Sequence, residues 1–285
     1  MKKLLFQLDT DPIASAFDGV AAYDGGIDHL LTFPGMSPDN VEATIHGAIF
    51  TRGGKNKQYT AIFVGGTNLA QGEALFEAVQ KIFFSNFRVS VMMDSNGCNT
   101  TAAAAVARIT SAGSVAGKKA LVLAGTGPVG QRGAVLLAKE GAEVILTSRK
   151  FDRAEAACQN MAHRFGVSLT PMQVSDAAST EAAMAGAQVV LAAGAAGIQL
   201  LPAKLWVNHP SLEILADINT VPPLGLGGTD MMDKGEERHG KICFGGLGIG
   251  SLKMKVHRTA IGQLFESNDR VFDAEAIYAL AKTLI

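Results

Sequence analysis

Residues 118–150 read KKALVLAGTGPVGQRGAVLLAKEGAEVILTSRK, an order of strand, glycine turn, helix and strand. An apolar run, Ala120–Ala124, leads into Gly125-Thr126-Gly127-Pro128-Val129-Gly130. A helical stretch, Gln131–Lys139, follows, and a second apolar strand, Ala142–Leu146, ends in Thr147-Ser148-Arg149-Lys150. G-x-G-x-x-G alone is weak evidence, but here it stands between a strand and a helix, as a dinucleotide fingerprint must. Gly125 permits the tight turn, Gly127 lets the backbone approach a pyrophosphate, and Gly130 lets the helix pack on the strand. Thr126, Pro128 and Val129 complete the loop. The helix N-terminus offers N–H groups and a positive dipole end to phosphates. NAD sites usually place an acid after the second strand, to accept from the ribose 2′-hydroxyl. Ser148, Arg149 and Lys150 stand there instead. They suit a 2′-phosphate, because Arg binds phosphate bidentately and Lys adds a point charge. The segment predicts NADP as cofactor. The competing reading is a nucleotide-free α/β unit with a chance glycine turn.

Around this unit, candidate strands fall at 119–125, 142–148, 168–174, 188–193, 213–217 and 241–245, the count and spacing of a doubly wound sheet. Upstream, Leu4–Leu8, His29–Phe33, Ala48–Phe50, Thr60–Val64 and Val89–Met93 read as strands. Gly72–Phe84 reads as a helix, with Leu75, Phe76, Val79, Ile82 and Phe83 recurring at three and four. Strands alternating with helices imply parallel α/β layers. The expected fold is α/β, with an N-terminal α/β domain at 1–112, a C-terminal Rossmann domain (doubly wound parallel sheet) at 113–269, and a cleft between them. The join is a helix from Thr101 to about Ala112. A terminal helix within 270–285, with Asp273 as N-cap, is expected to pack back on the first domain.

The bulk properties exclude several classes. The 285 residues are 48% hydrophobic and 18% charged, with a net charge of −1, so no nucleic-acid surface is expected. Three cysteines, Cys98, Cys158 and Cys243, are widely spaced, which argues for a reducing compartment and against a disulfide framework or metal site. The leading apolar run breaks at Gln7 and Asp9, too short for a leader, and reads as a first strand. No apolar run reaches the roughly 18 residues of a membrane span, so a cytoplasmic location is expected. His29, His46, His163, His209 and His239 lack partners at ligand spacing, Trp206 reads as packing, and Asp9-Thr10-Asp11 reads as capping at a strand end.

Three segments at strand ends could carry chemistry, since ligands bind there in open α/β sheets. Asp94–Thr101 (DSNGCNTT) puts small polar side chains at a helix start; plain capping explains it equally well. Gly245–Arg258 reads as a glycine loop followed by a helix that carries Lys253 and His257 four residues apart on one face, with Lys255 pointing elsewhere. A solvated basic face is the bland alternative. Asp217–Gly228 puts Asn219 and Pro222-Pro223 after a strand, as a rigid wall near a nicotinamide or as an ordinary loop.

Together these segments resemble the NADP-dependent methylene-tetrahydromethanopterin dehydrogenases of methylotrophic bacteria. The resemblance runs over nearly the whole chain. It rests on KKLLFQLDTD at 2–11, SPDNV at 37–41, TRGGK at 51–55, AIFVGG at 61–66, DSNGCNTTAAA at 94–104, LAGTGPVG at 123–130, PPLG at 222–225 and GLGIGSLKMKVHR at 246–258. The bifunctional methylene-tetrahydrofolate dehydrogenase/cyclohydrolases carry a catalytic lysine in an early Tyr-x-x-x-Lys pattern. Here Tyr23 is followed at that spacing by Ile27 and Tyr59 by Phe63, so no cyclohydrolase activity is expected.

The resemblance implies a reduced pterin substrate with a methylene bridge, tetrahydromethanopterin- or tetrahydrofolate-based, from which a hydride passes to NADP. It implies a pterin site formed by Phe17 and Thr101 from the first domain with Lys253 and His257, and no metal. Phe17 would stack on the pterin, Thr101 would hydrogen-bond near the reacting ring, and Lys253 and His257 would orient polar atoms. On residue character alone, Phe17 reads as core. The resemblance also implies a homo-oligomer, trimer or hexamer. The rival readings are a dehydrogenase specific for methylene-tetrahydrofolate and a non-catalytic NADPH sensor.

Overall fold

A computed structural model describes the chain from Met1 to Ile285. Its first sheet contains β1 (Leu4–Asp9), β2 (His29–Phe33), β3 (Thr60–Gly65), β4 (Ser90–Met93) and β12 (Val271–Phe272), in the order β12-β4-β3-β1-β2 and parallel throughout. Parallel sheets are covered on both faces, so their strands are apolar runs; every residue of β3 and β4 is buried. The connecting helices are α1 (Ala16–Asp24), α2 (Glu42–Phe50) and α3 (Leu69–Ile82). Ile45 and Ile49 of α2 and Leu75 and Val79 of α3 pack with Leu8, Ile62, Val64 and Val91 in one core.

Here one expectation fails. Ala48–Phe50 is the last turn of α2 rather than a strand. Val41, Ile45, Ala48 and Ile49, all buried, recur at four, three and one, a helical stripe that a three-residue window misses. The two-residue strand β12 is too short to leave a period in the sequence. It lies beside β4, with Val271 opposite Val91 and Phe272 opposite Met92. Asp273 caps the helix that follows, α9 (Ala274–Lys282), accepting from the Glu275 and Ala276 amides.

The second sheet contains β5 (Lys119–Leu123), β6 (Glu143–Ser148), β7 (Thr170–Gln173), β8 (Val189–Ala192), β9 (Ile214–Asp217), β10 (Lys234–Arg238) and β11 (Lys241–Phe244). The order is β10-β11-β9-β8-β5-β6-β7. All six expected strands are present and parallel, and they form a doubly wound sheet. The sequence KGEER hides β10, an exposed, charged, antiparallel edge strand without an apolar face. Helices α5 (Pro128–Lys139), α6 (Phe151–Phe165) and α7 (Ala177–Met184) connect the strands. Leu121, Val190, Leu215, Cys243 and the fully buried Trp206 share the core; the Trp206 indole N–H donates to the Gly227 carbonyl at 2.8 Å.

Two further helices, α4 (Cys98–Ala112) and α8 (Gly246–Gln263), complete the set. The chain divides into two compact units, Met1–Thr100 with Met254–Leu284, and Thr101–Lys253. Both breaks fall inside these continuous helices, whereas the sequence reading put them at 112/113 and 269/270. A boundary inside a helix has no composition shift to mark it. No helix is long and apolar enough to cross a membrane.

Candidate active site

In the second unit the strand order reverses between β5 and β8, the switch point where nucleotides bind in such sheets. The glycine turn follows β5. A Cβ at Gly125 would stand 2.8 Å from the Leu146 side chain, and one at Gly130 would stand 2.7 Å from the Gly125 backbone. These two glycines are required by packing. A Cβ at Gly127 meets nothing within 4 Å, so packing within the protein does not require a glycine there. Gly127 is the N-cap of α5 and Pro128 its first residue, a position that needs no N–H. The Gln131 amide already bonds to the Gly127 carbonyl at 2.9 Å, which leaves Val129 and Gly130 as the first-turn amides without an intrahelical acceptor. The cradle fits a pyrophosphate.

The end of β6 is tied to this turn. The Gly125 amide donates to the Thr147 carbonyl at 2.9 Å, and the Thr147 hydroxyl bonds both to Val122 and to Ala124. Ser148 is buried, while Arg149 and Lys150 are exposed at the start of α6. The two cations therefore follow directly on a strand end fixed to the phosphate turn.

After β9, Asp217 organises its loop. Its carboxylate accepts from the Asn219 amide at 2.9 Å and the Leu226 amide at 2.9 Å, and burial pushes its pKa up. The Asn219 side chain is occupied locally, accepting from Val221 N–H at 3.0 Å and donating to the Pro223 carbonyl at 3.3 Å. Its side chain thus fixes the shape of the loop.

The glycine segment before Lys253 differs from expectation. Gly246, Gly248 and Gly250 lie in the first turns of α8, not in a loop. A Cβ at Gly245 would stand 2.0 Å from the Asp230 carbonyl, at Gly246 2.6 Å from that of Asn219, and at Gly248 1.9 Å from that of Asp233. These glycines let the helix start press against two loops. That close approach outweighs a helix cost of roughly 1 kcal/mol per glycine. Lys253 is buried, and His257, one turn on, is wholly buried. Lys255 does point elsewhere, its ammonium on the Leu284 carbonyl at 2.9 Å.

In the first unit the strand order reverses between β1 and β3. At the end of β1, Asp9 accepts from the Asp11 and Ser15 amides, each at 2.9 Å, and Ser15 caps α1. The Asp9–Asp11 cluster is thus the capping device the sequence reading took it for. Phe17, in the first turn of α1, is 55% exposed, so its reading as core from residue character alone fails. At the end of β4, Asp94 accepts the Asn99 and Thr100 amides at 2.9 and 3.0 Å through one oxygen and the Thr100 hydroxyl at 2.5 Å through the other. Thr101 is half-buried in the same helical turn. That second oxygen of Asp94 also stands 3.3 Å from His257 Nδ1. Both side chains are fully buried, and the His257 ring lies 5.5 Å from that of Phe63. Neither His257 nitrogen completes a hydrogen bond within the protein, the Nδ1–Asp94 contact being off line. Sequence reasoning found His257 but missed Asp94 as its neighbour, because only the fold brings β4 and α8 together.

The switch-point turn and doubly wound sheet define a dinucleotide-binding fold of the dehydrogenase type. Residues 16–96 match the family model described as methylene-tetrahydromethanopterin dehydrogenase, N-terminal. The chain is 58% identical over 285 residues to the bifunctional protein MdtA of Methylorubrum extorquens AM1, covering 99% of each. It is 28% identical over 277 residues to the NAD(P)-dependent methylenetetrahydromethanopterin dehydrogenase of the same organism, covering 94% of this chain and 93% of that one. Among solved structures, the shikimate 5-dehydrogenase of Listeria monocytogenes, in complex with shikimate and NAD, shares the fold at a TM-score of 0.55 and 15% identity, over 98% of this chain and 96% of that one. The chain belongs to the methylene-tetrahydromethanopterin dehydrogenase family. As a member of that family it is an oxidoreductase of the dehydrogenase type.

Proposed function

We propose that the protein oxidises the methylene bridge of methylene-tetrahydromethanopterin, and of methylene-tetrahydrofolate, to the methenyl form, with NADP as hydride acceptor. The observation that carries the reading is likeness along the whole chain to the bifunctional protein MdtA and to a relative named for this chemistry, joined to a glycine turn whose Gly127 leaves open space. When bound, NADP supplies C4 of its nicotinamide as the acceptor. The hydride leaves the methylene carbon with its electron pair, and the flanking nitrogens stabilise the resulting cation. No proton transfer is obligatory, so the residues act by positioning and electrostatics. Val129 and Gly130 amides would hold the pyrophosphate, and Ser148, Arg149 and Lys150 the 2′-phosphate. Phe17, exposed on α1, would stack on the pterin, with Thr101, Lys253 and His257 orienting its polar atoms. Lys253 has an orienting role in this reading, since a cation beside the reacting carbon would oppose methenyl formation.

A protein with this family membership need not hydrolyse the methenyl product. The Tyr-x-x-x-Lys spacing occurs only at Tyr278–Lys282, on the terminal helix, where the ammonium lies over the Tyr278 ring. Three free, buried cysteines accord with a reducing, cytoplasmic setting. The reading includes a trimer or hexamer, which light scattering on the purified protein tests.

Initial rates with each pterin and each of NADP and NAD, followed by the methenyl chromophore, test the proposal. Turnover with NADP is expected, without decay of the chromophore faster than in buffer. Dinucleotide binding without turnover on either pterin would replace the enzyme by a sensor.

A further inference from the structure

We infer that Asp94 is a positioning residue for His257: it holds the proton on Nδ1, so that Nε2 is presented as a hydrogen-bond acceptor to an N–H group of the reduced pterin. The inference rests on the reading above that His257 faces the pterin.

The Asp94 carboxylate is fixed in place as a hydrogen-bond acceptor. One oxygen accepts two first-turn amides of α4, and the other accepts the Thr100 hydroxyl. A helix N-terminus favours negative charge at that place. An ionised carboxylate only accepts. In a neutral imidazole the ring nitrogen 3.3 Å from it is therefore the one to bear hydrogen, as when a carboxylate fixes the tautomer of a catalytic or metal-binding histidine. The contact is off line here; such bonds are commonly long and tighten only in the reacting complex. The Phe63 ring lies 5.5 Å from the imidazole, centroid to centroid.

Nε2 is then left with a lone pair and no donor from the protein, inside a fully buried side chain. Leaving that atom bare costs about 1–3 kcal/mol, which a donor from a ligand would recover. The chemistry that satisfies it is an N–H donor. A reduced pterin carries N–H groups on its ring and its exocyclic amine. An uncharged acceptor at this place also leaves the methenyl cation unopposed, which an imidazolium would not.

The test is ¹⁵N NMR of protein labelled in its histidine rings, in slightly alkaline buffer, with His257→Gln used to assign the signal. The wild-type His257 is expected to show protonated Nδ1 and bare Nε2. Asp94→Asn, which turns an amide donor toward the ring, is expected to reverse the tautomer. It should also raise the KM for methylene-tetrahydrofolate tenfold or more while the KM for NADP stays within twofold. A wild-type ring protonated on Nε2 overturns the inference, and that measurement stands even if Asp94→Asn does not fold. So does an unchanged tautomer, or a reversed tautomer with an unchanged pterin KM. An unaltered pterin KM in His257→Gln would instead sink the site reading on which the inference rests.

Discussion

The Thr147 hydroxyl accepts the Ala124 amide at 3.1 Å and so fixes the end of β6 to the turn after β5. Ala124 sits there at a φ of 52°, in the left-handed region, and the same hydroxyl donates to Val122 at 3.1 Å. Thr147→Val keeps the shape and removes both bonds, leaving the Ala124 N–H unpaired. The expected loss of stability is about 1–3 kcal/mol, read from urea unfolding. NADP affinity should fall with it, and Thr147→Ser should restore both.

Gly127 and Gly130 respond oppositely to an added methyl. Gly130→Ala drives a Cβ into the Gly125 backbone at 2.7 Å, so expression or melting temperature should collapse. Gly127→Ala has room in the protein and should melt within a few degrees of wild type, yet bind NADP at least tenfold more weakly. Equal NADP binding by Gly127→Ala would mean that its open space is not the phosphate cradle.

Arg149→Ala removes the residue assigned to the 2′-phosphate. A charge-assisted bond of this kind is worth about 1.5–3 kcal/mol, so the Kd for NADP should rise roughly tenfold or more. The Kd for NAD should hardly change. Calorimetry with both cofactors checks this, and equal loss for both would exclude Arg149 as the discriminator.

Glu213 titrates below its usual value of 4.5, first because the Lys118 ammonium bonds to it and then because Gln188 donates at 3.1 Å. A lowered folded pKa contributes stability above pH 4.5, and the contribution disappears as pH falls through the folded value. Glu213→Gln should therefore lower the melting temperature slightly at neutral pH and not at all in strong acid. With 46% of the carboxylate side chain exposed, the effect should also shrink in high salt. A difference that persists in acid would assign the loss to packing.

The second sheet was legible because β5, β8, β9 and β11 are buried nearly throughout and β6 largely so, and they stand out as apolar runs, while β7, with no buried residue, followed from the spacing of the others. What failed did so for physical reasons. Ala48–Phe50 belongs to a helical stripe that begins at Val41, β10 has no apolar face, and β12 is only two residues long. Gly246 and Gly248 look like part of a turn but serve close packing, which depends on loops distant in sequence, whereas Gly250 has open space around it. Among the proposed site residues, His257 and Lys253 follow from helical spacing. Phe17 came only through the family resemblance, since an isolated aromatic does not announce whether it is buried. The Asp94–His257 contact joins distant segments, and no local pattern encodes it.

The strand Val271–Phe272 completes the first sheet after the whole second unit has been synthesised. Val91 N–H bonds to the Arg270 carbonyl at 2.8 Å, the Ser90 hydroxyl to that of Ser267 at 3.0 Å, and the Asn268 side chain to that of Arg88 at 3.0 Å. On the ribosome, β4 thus waits as an open edge until the last residues emerge, while the dinucleotide-binding unit already has all its strands. Unpaired edges of this kind are where nascent chains associate wrongly. The segment 267–272 thus closes the edge of β4 across some 180 residues of intervening sequence.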